Sequence, residues 1–375
     1  MSDGKYTSIL RVENLRAFYT SKSGLVRAVN DITFEIKEGE AVGLFGESGS
    51  GKTSVALSIL GIFDRTSRFY STASGDNKNK RLWALRDEAD KKGFTSAEMG
   101  VDLPGVEGRI WFKGKNLLSL NEKEYRKIRG NEITYVPQGT VKSLNPYSKI
   151  EIQIDEALWA HDEDDLLWER EVARRVLEAL DVVELADPDI RKHLKPSQFS
   201  VGEDQRILIA MALITNPVLM IADEPTTAVD VGVQRRVLDA LMLVRDKLKI
   251  AFLIISNDQG LIAQTCDSVA VMSAGRIMEF GDVKTVFVSP GHPFTRALIM
   301  SNPSMDIIRK IREKGLRIRG IPGKPPDMTN LPPGCPFSPR CDYSQDICRE
   351  QIPEYREVEP GHWIFCHRYE ELPKF

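Results

Sequence analysis

A glycine-rich loop between an apolar strand and a helix constrains this chain more than any other feature of its sequence. Residues 40–45 form a short apolar strand, residues 46–53 match the spacing G-x-x-x-x-G-K-[ST], and a helix is predicted from residue 52 to about 62. Glycines allow the backbone N–H groups of such a loop to turn inward around phosphates, and the helix start adds the positive end of its dipole. The sequence therefore predicts a nucleoside triphosphate site on an α/β fold.

The residues of this loop have distinct expected roles. Lys52 would pair with the β- and γ-phosphates, and the hydroxyl of Thr53 would hold Mg²⁺. The predicted nucleotide-binding residues of the loop and helix start are Gly46, Glu47, Ser48, Gly49, Ser50, Gly51, Lys52, Thr53 and Ser54.

Two acidic residues follow a second apolar strand further along the chain. Residues 218–222 are apolar, and Asp223 and Glu224 come directly after them. Asp223 is placed to bind magnesium through water, and Glu224 is placed to polarise an attacking water as general base. The loop alone predicts binding of a nucleotide, whereas the acidic pair predicts its hydrolysis.

Apolar strands and helices alternate over much of the chain, which is typical of a mostly parallel sheet covered on both sides. Strands are predicted at residues 9–15, 32–36, 40–45, 109–112, 133–136, 218–222, 251–255 and 269–272, and helices at 52–62, 122–128 and over 150–195. The polar segment 64–107 is interpreted as an insertion that lies mostly at the surface. Past residue 290 the chain is rich in proline and cysteine and is expected to form a separate tail.

Net charge and hydropathy argue against two properties of this chain, namely binding to nucleic acid and crossing a membrane. The formal net charge is -3 and the pI is about 6.1, so no basic field suggests nucleic acid as a partner. No run of eighteen apolar residues occurs, and the N-terminus has no apolar signal region. We therefore expect a chain that stays in the cytoplasm and does not itself cross a membrane.

Four of the five cysteines crowd into the last 41 residues, which in a reducing compartment indicates metal ligation. They are Cys335, Cys341, Cys348 and Cys366. The intervals of five, six and seventeen residues between them do not match the paired C-x-x-C of common zinc ribbons. From spacing alone, a metal cluster, zinc and free thiols all remain open.

Further motifs resemble those of the ABC ATPases and fall in that family's order. Residues 200–206, SVGEDQR, resemble the signature motif, and residues 227–230 resemble the D-loop. Gln138 ends a strand as the family's glutamine loop does. Tyr19 stands where the family places an aromatic ring against adenine, and Asn257 occupies the switch position.

The resemblance implies an ATPase that uses Mg²⁺. It implies catalytic roles for Glu224, Gln138 and Asn257, with Thr53, Gln138 and Asp223 near the magnesium. Two such domains would face each other, each ATP lying between the Lys52 loop of one chain and the signature motif of the other. The implied nucleotide contacts outside the loop come from Tyr19, Gln138, Asp223, Ser200, Val201, Gly202, Gln205 and Asp230.

The resemblance narrows to the oligopeptide and dipeptide importer branch. The supporting segments are SLNP at 143–146, HPFTRAL at 292–298 and LPPGC at 331–335. This resemblance implies a motor subunit at the cytoplasmic face of the membrane, with two permease subunits and an external substrate-binding protein as partners. Sugar or nickel import within the same family is an alternative cargo, and a soluble ABC ATPase without a membrane partner is the rival class.

In this branch, tails similar to 290–375 hold a [4Fe–4S] cluster, for which thiolates are the required ligands, so the resemblance favours a cluster over zinc. The expected fold is α/β of the ABC type: a RecA-like core with an antiparallel β edge, a helical subdomain and a Cys-rich metal-binding extension. The expected domains are 1–289, with the insertion 64–107 and the helical subdomain 149–200, and the extension 290–375.

Two residues depart from the family pattern. The family has glycine where Val201 stands and histidine where Asn257 stands. A β-branched side chain is bulky where the signature backbone must approach the γ-phosphate, and asparagine cannot shuttle a proton. A homodimer would carry both defects at both sites, so the sequence predicts pairing with a second, different ABC ATPase subunit. A symmetric dimer that tolerates both substitutions is the alternative.

Overall fold

The computed structural model describes residues 8–64, 77–139, 143–162, 168–227, 231–301 and 320–373. The strands are β1 (Ser8–Ser21), β2 (Gly24–Lys37), β3 (Ala41–Gly46), β4 (Gly105–Phe112), β5 (Lys115–Asn116), β6 (Ile133–Val136), β7 (Leu219–Asp223), β8 (Ala251–Ser256), β9 (Ser268–Ser273), β10 (Arg276–Asp282), β11 (Tyr355–Glu359) and β12 (His362–Phe365). The helices are α1 (Lys52–Ile59), α2 (Asn77–Lys92), α3 (Ser96–Met99), α4 (Glu122–Ile128), α5 (Ile150–Trp159), α6 (Glu169–Val182), α7 (Pro188–Arg191), α8 (Val201–Leu213), α9 (Val231–Leu248), α10 (Gln259–Thr265), α11 (Val283–Val288), α12 (Pro293–Ser301) and α13 (Asp346–Glu350).

The strands form two sheets. One has the order β2-β1-β4-β5, and the other has the order β11-β12-β10-β9-β3-β8-β7-β6. The chain divides into two compact units that alternate along the sequence. The main segments of the first are Ile36–Val42 and Ser119–Ser256, and those of the second are Leu10–Glu35, Gly43–Leu118 and Asn257–Phe375. The predicted domain bounds at 289 and 290 stay a prediction.

The first unit contains the parallel strands that the alternation of strands and helices predicts. β7 pairs in parallel with β6 on one side and with β8 on the other. Every residue of β7 and β8 is buried, as expected for strands covered on both faces. α8 packs against α5, α6, α9 and β6, so the predicted helical region contributes to the core of this unit.

The second unit contains antiparallel strands, as expected for the β edge. β1 pairs with β4, and β9 pairs with β10, both antiparallel. β1 and β2 each span 14 residues, whereas the sequence predicted only 9–15 and 32–36. The reason is that burial alternates along both strands, so polar residues on one face interrupt the apolar runs that the prediction relied on.

The insertion, predicted to lie mostly at the surface, also contributes a few buried side chains to this second unit. Trp83 of α2 is only 6% exposed, and its indole N–H donates to the hydroxyl of Thr20 in β1 at 3.3 Å. Arg86 pairs with Glu107 of β4 at 2.8 Å. Polar and charged residues outnumber the apolar ones in this segment, which is why composition did not indicate its packing.

The chain past residue 290 is part of the sheet rather than a separate tail. β12 pairs with β10, placing Glu279 opposite Ile364, and β11 pairs with β12. The buried carboxylate of Glu279 accepts hydrogen bonds from the backbone N–H groups of Gly291 and His292, at 2.7 and 2.9 Å, and contacts Nε2 of His362 at 2.8 Å. No helix in the described part of the chain is long and apolar enough to cross a bilayer.

Candidate nucleotide-binding site

The glycine-rich loop runs from the end of β3 to the start of α1. Gly51 precedes the helix with φ of 103°, and a Cβ at this position would lie 2.0 Å from the carbonyl oxygen of Ala28. A Cβ on Gly46 would lie 2.1 Å from the carbonyl oxygen of Met272. Glycine is therefore required at both ends of the loop, because the backbone of β2 and of β9 passes too close for a side chain.

Lys52 is buried within this loop. Its Nζ donates to the carbonyl oxygens of Gly46 and Glu47, both at 2.9 Å, and lies 3.4 Å from the hydroxyl of Ser50. The ammonium is thus surrounded by the loop that the phosphates would enter, as the motif predicts. Thr53 is exposed at the start of α1.

Asp223 is the last residue of β7 and is fully buried. The hydroxyl of Tyr135, on the neighbouring strand β6, donates to Oδ2 of Asp223 at 3.1 Å. Burial and the nearby carboxylate raise the pKa of Tyr135, which keeps its phenol protonated as a donor. Tyr135 was not among the predicted site residues, because only the pairing of β6 with β7 brings its hydroxyl to Asp223.

Glu224 leaves the strand in a left-handed conformation, with φ of 49°. Its N–H donates to the carbonyl oxygen of Ile255 at 2.8 Å, and its carboxylate accepts from the hydroxyl of Thr227 at 3.0 Å. A non-glycine residue rarely adopts this backbone conformation, and such strain concentrates at functional sites. Thr227 was predicted only as the first residue of the D-loop at 227–230, and its contact with Glu224 was not predicted.

Gln138 and Asn257 follow the strands on either side of β7 in the chain. Gln138 is exposed two residues after β6, and Asn257 is exposed directly after β8. Because β6, β7 and β8 are parallel, their carboxyl ends lie at one edge of the sheet, the usual place for ligands in α/β folds. Residues 46–54 belong to the second unit, whereas Gln138, Asp223 and Glu224 belong to the first.

The predicted signature residues form the start of α8. The hydroxyl of Ser200 accepts from the N–H of Glu203, and the carboxylate of Glu203 accepts from the N–H of Ser200 at 2.9 Å, so the helix begins with a capping box. An ion pair with Arg191 at 2.7 Å lowers the pKa of Glu203 to about 2. Val201 is 40% exposed as the first helical residue, whereas Gly202 and Gln205 are buried.

Tyr19 and Asp230 are the two remaining residues that were predicted to contact the nucleotide. Tyr19 lies half-buried in β1, with its ring edge-on to that of Phe63 at a centroid distance of 6.3 Å. Asp230, the predicted D-loop residue, lies outside the described residues.

The four clustered cysteines line one small cavity of about 20 Å³, together with His292, Phe337 and other residues. None of them forms a disulfide. Burial, reinforced by the neighbouring thiols, raises the pKa of Cys335 to about 12 and that of Cys341 to about 11. These thiols therefore stay protonated unless a cation compensates their charge. Within the described ranges, no group of three or more His, Cys, Asp or Glu side chains is arranged to hold a metal ion.

Two protein families match this chain. The ABC transporter family matches residues 29–87 and 99–227, and the C-terminal region of oligopeptide/dipeptide transporters matches residues 278–348. The first match covers the loop, the signature residues and the acidic pair. The second covers three of the four clustered cysteines.

Relatives match over nearly the whole chain. A probable peptide ABC transporter ATP-binding protein of Sinorhizobium fredii is 35% identical over 99% of this chain and 98% of its own length. The oligopeptide transport ATP-binding protein OppD of Escherichia coli is 34% identical over 97% and 95%, respectively. The dipeptide transport ATP-binding protein DppD of Bacillus subtilis is 35% identical over 96% and 94%.

Solved structures share the fold. A dimeric ATP-binding cassette in a post-hydrolysis state, bound to ADP and Pi, has a TM-score of 0.55 with 22% identity, over 73% of this chain and 98% of that one. A Clostridium perfringens protein that is part of an ABC transporter complex has a TM-score of 0.57 with 23% identity, over 82% and 95%. The chain therefore belongs to the ABC transporter family, as an ATP-binding and ATP-hydrolysing subunit of the oligopeptide/dipeptide transporter type.

Proposed function

We propose that this chain is the motor subunit of an importer for dipeptides or oligopeptides, acting at the cytoplasmic face of the membrane. The cargo class is inferred from one observation: residues 278–348 match the C-terminal region of oligopeptide/dipeptide transporters, on the same chain as the ATPase motifs. Its partners are then two permease subunits and an external substrate-binding protein. Sugar or nickel import and a soluble ABC ATPase are the alternatives.

The test is uptake by cells with and without this gene, using radiolabelled di- and tripeptides, a sugar and nickel in parallel. Loss of peptide uptake alone supports the proposal, and loss of only sugar or nickel uptake contradicts the cargo. Co-purification of the chain from membranes with two multi-span permeases would support the importer and contradict the alternative of a soluble ATPase. A chain recovered only as a soluble dimer contradicts membrane coupling.

The proposed site assigns a role to each motif. Lys52 binds the β- and γ-phosphates, and the loop N–H groups surround them. Thr53, Gln138 and Asp223 would supply the oxygen atoms near Mg²⁺, an ion that prefers such ligands. Tyr135 supports this role, since its hydrogen bond to Oδ2 of Asp223 orients the carboxylate.

In the proposed hydrolysis step, Glu224 accepts a proton from the water that attacks the γ-phosphorus, while the bond to the β–γ bridging oxygen breaks and ADP and phosphate leave. The hydroxyl of Thr227 orients the carboxylate of Glu224. Asn257 directly follows β8, and its amide can donate a hydrogen bond but carries no charge. These assignments predict that Glu224 acts as the base without help from a histidine at the switch position, where this chain has Asn257.

We further propose that the working ATPase pairs this chain with a different ABC subunit. Val201 supports the proposal because its side chain is exposed at the N-terminus of α8, where the γ-phosphate of a partner's ATP would approach. A partner that carries glycine and histidine at these positions leaves each composite site with only one defect.

The reversions Val201→Gly and Asn257→His test this pairing. In the chain purified alone, the double reversion is expected to raise ATP turnover by about 10²-fold, the usual value of one lost transition-state contact. Co-expression with a second ABC ATPase that has glycine and histidine at these two positions should raise turnover of the parent without any reversion. Val288→Gly, which alters another exposed valine, is the control. If the parent chain hydrolyses ATP rapidly when purified alone, and neither reversion changes its turnover, the proposed heterodimer is contradicted.

We propose that the clustered cysteines hold a [4Fe–4S] cluster, with zinc as the alternative. The support is that four unpaired thiols line a single cavity. Each iron of such a cluster takes one thiolate, so its ligands need not converge on one point as those of a single ion must. The donor set therefore fits a cluster. The cavity of about 20 Å³ holds no more than a water molecule. The cysteine side chains must therefore move apart to admit a [4Fe–4S] cluster.

Anaerobically purified protein is expected to be brown, with about four irons per chain and broad absorbance near ~400 nm. Cys341→Ser should remove the colour, because one thiolate ligand is lost. Cys266→Ser is the matched control, since Cys266 is buried beside Thr265 and does not line the cavity of the four clustered cysteines. Stoichiometric zinc without iron in the anaerobic material contradicts the cluster.

A further inference from the structure

A buried ion pair joins the cysteine-rich extension to the phosphate-binding loop. Nη1 and Nη2 of Arg340 donate to the two carboxylate oxygens of Glu47 at 2.8 and 2.7 Å. The side chains are only 5% and 19% exposed, although 293 residues separate them in the sequence. Paired, parallel hydrogen bonds of this kind are among the strongest that side chains make.

The extension fixes the position of Arg340. The residue ends a 3-10 helix, Ser338–Arg340, that lies between Cys335 and Cys341. The N–H of Ser338 donates to the carbonyl oxygen of Cys335 at 2.9 Å, and Nε of Arg340 donates to that of Pro322 at 2.8 Å. All three guanidinium nitrogens are therefore used, two of them on the loop.

Glu47 in turn occupies a sensitive position in the loop. Its carbonyl oxygen accepts hydrogen bonds from Nζ of Lys52 at 2.9 Å and from the N–H of Ser50 at 3.2 Å. Fixing the side chain of Glu47 therefore also fixes the backbone carbonyl group to which Nζ of Lys52 donates its hydrogen bond. In addition, a carboxylate in a loop that receives a polyphosphate repels it unless a cation compensates the charge.

We propose that Arg340 is a positioning residue for nucleotide binding: it neutralises Glu47 and holds the loop in the conformation that accepts phosphates. It acts through Glu47 and does not touch the nucleotide. The inference rests on the proposed role of residues 46–53 in binding ATP. It makes the C-terminal extension part of the ATPase site, and no motif of the sequence indicated this role.

Arg340→Gln tests the proposal by ATP binding, measured as Kd by calorimetry or with a fluorescent analogue. We expect Kd to rise about tenfold, within the range usual for coupling between sites. Turnover at saturating ATP should change much less, because Arg340 does not face the reacting atoms. Arg340→Lys should give a smaller rise, since an ammonium keeps the charge but cannot make the paired contact. Arg349→Gln, which alters an exposed arginine of the same extension, should leave Kd unchanged.

A double variant separates charge from mere structural damage. Adding Glu47→Gln to Arg340→Gln removes the uncompensated carboxylate, so most of the lost affinity should return, to within about threefold of the parent. Parental Kd in both Arg340 variants overturns the proposal, and so does a double variant that binds no better than Arg340→Gln. If Lys52→Ala also keeps parental ATP affinity, the failure lies instead in the proposed role of the loop.

Discussion

Replacing Glu224 with glutamine is expected to lower ATP turnover by about 10³-fold while ATP remains bound, within the usual effect of losing a general base. Glutamine has nearly the shape of glutamate, and its amide oxygen can still accept the hydrogen bond that Thr227 donates at 3.0 Å. The left-handed backbone of Glu224 is unchanged by the substitution. Only the capacity to take a proton from water is lost.

Turnover and binding must be measured separately for this variant, by phosphate release and by equilibrium binding of ATP. The variant should also accumulate as a closed, ATP-bound dimer, visible by size-exclusion chromatography, because closure precedes hydrolysis. Glu178→Gln is the control, since it neutralises an exposed carboxylate of α6 that pairs with Arg174. Hydrolysis by Glu224→Gln at the parental rate would show that another group is the base.

Lys52→Ala is expected to raise the Kd for ATP by at least about 100-fold, since hydrogen bonds to charged groups are each worth about 1.5–3 kcal/mol. The ammonium has two functions in this loop. In the proposed site it supplies charge for the phosphates, and it donates hydrogen bonds to the carbonyl oxygens of both Gly46 and Glu47. Alanine removes both, so loop order and phosphate attraction are lost together.

The measurement is the thermal stabilisation of the folded chain by ATP, which grows with the ratio of ligand concentration to Kd. The parent should show a concentration-dependent rise in Tm, and Lys52→Ala should show none at the same ATP concentrations. Lys284→Ala, which removes an exposed lysine at the start of α11, should behave as the parent. A parental rise in Tm for Lys52→Ala would contradict the assignment of the loop.

Local patterns were predictable because they depend on neighbours in the chain. The sequence by itself determined the loop at 46–53, the acidic pair after an apolar strand, and the bounds of α4 and β6, which the structure confirms. In each case the signal lies within a few residues: a glycine spacing, a helix with its cap, or an uninterrupted apolar run. The membership of the ABC family followed from the order of such local motifs.

Only the tertiary structure decided which distant residues meet. Tyr135 reaches Asp223 because two parallel strands align in register, and the short strands β11 and β12 extend a sheet because β12 pairs with β10 and β11 pairs with β12. The pair Arg340 and Glu47 is the extreme case, since nothing near either residue indicates the other. Such contacts join residues that are distant in the sequence and depend on the order of the strands in the sheet. They therefore contribute to stability only after the chain has folded.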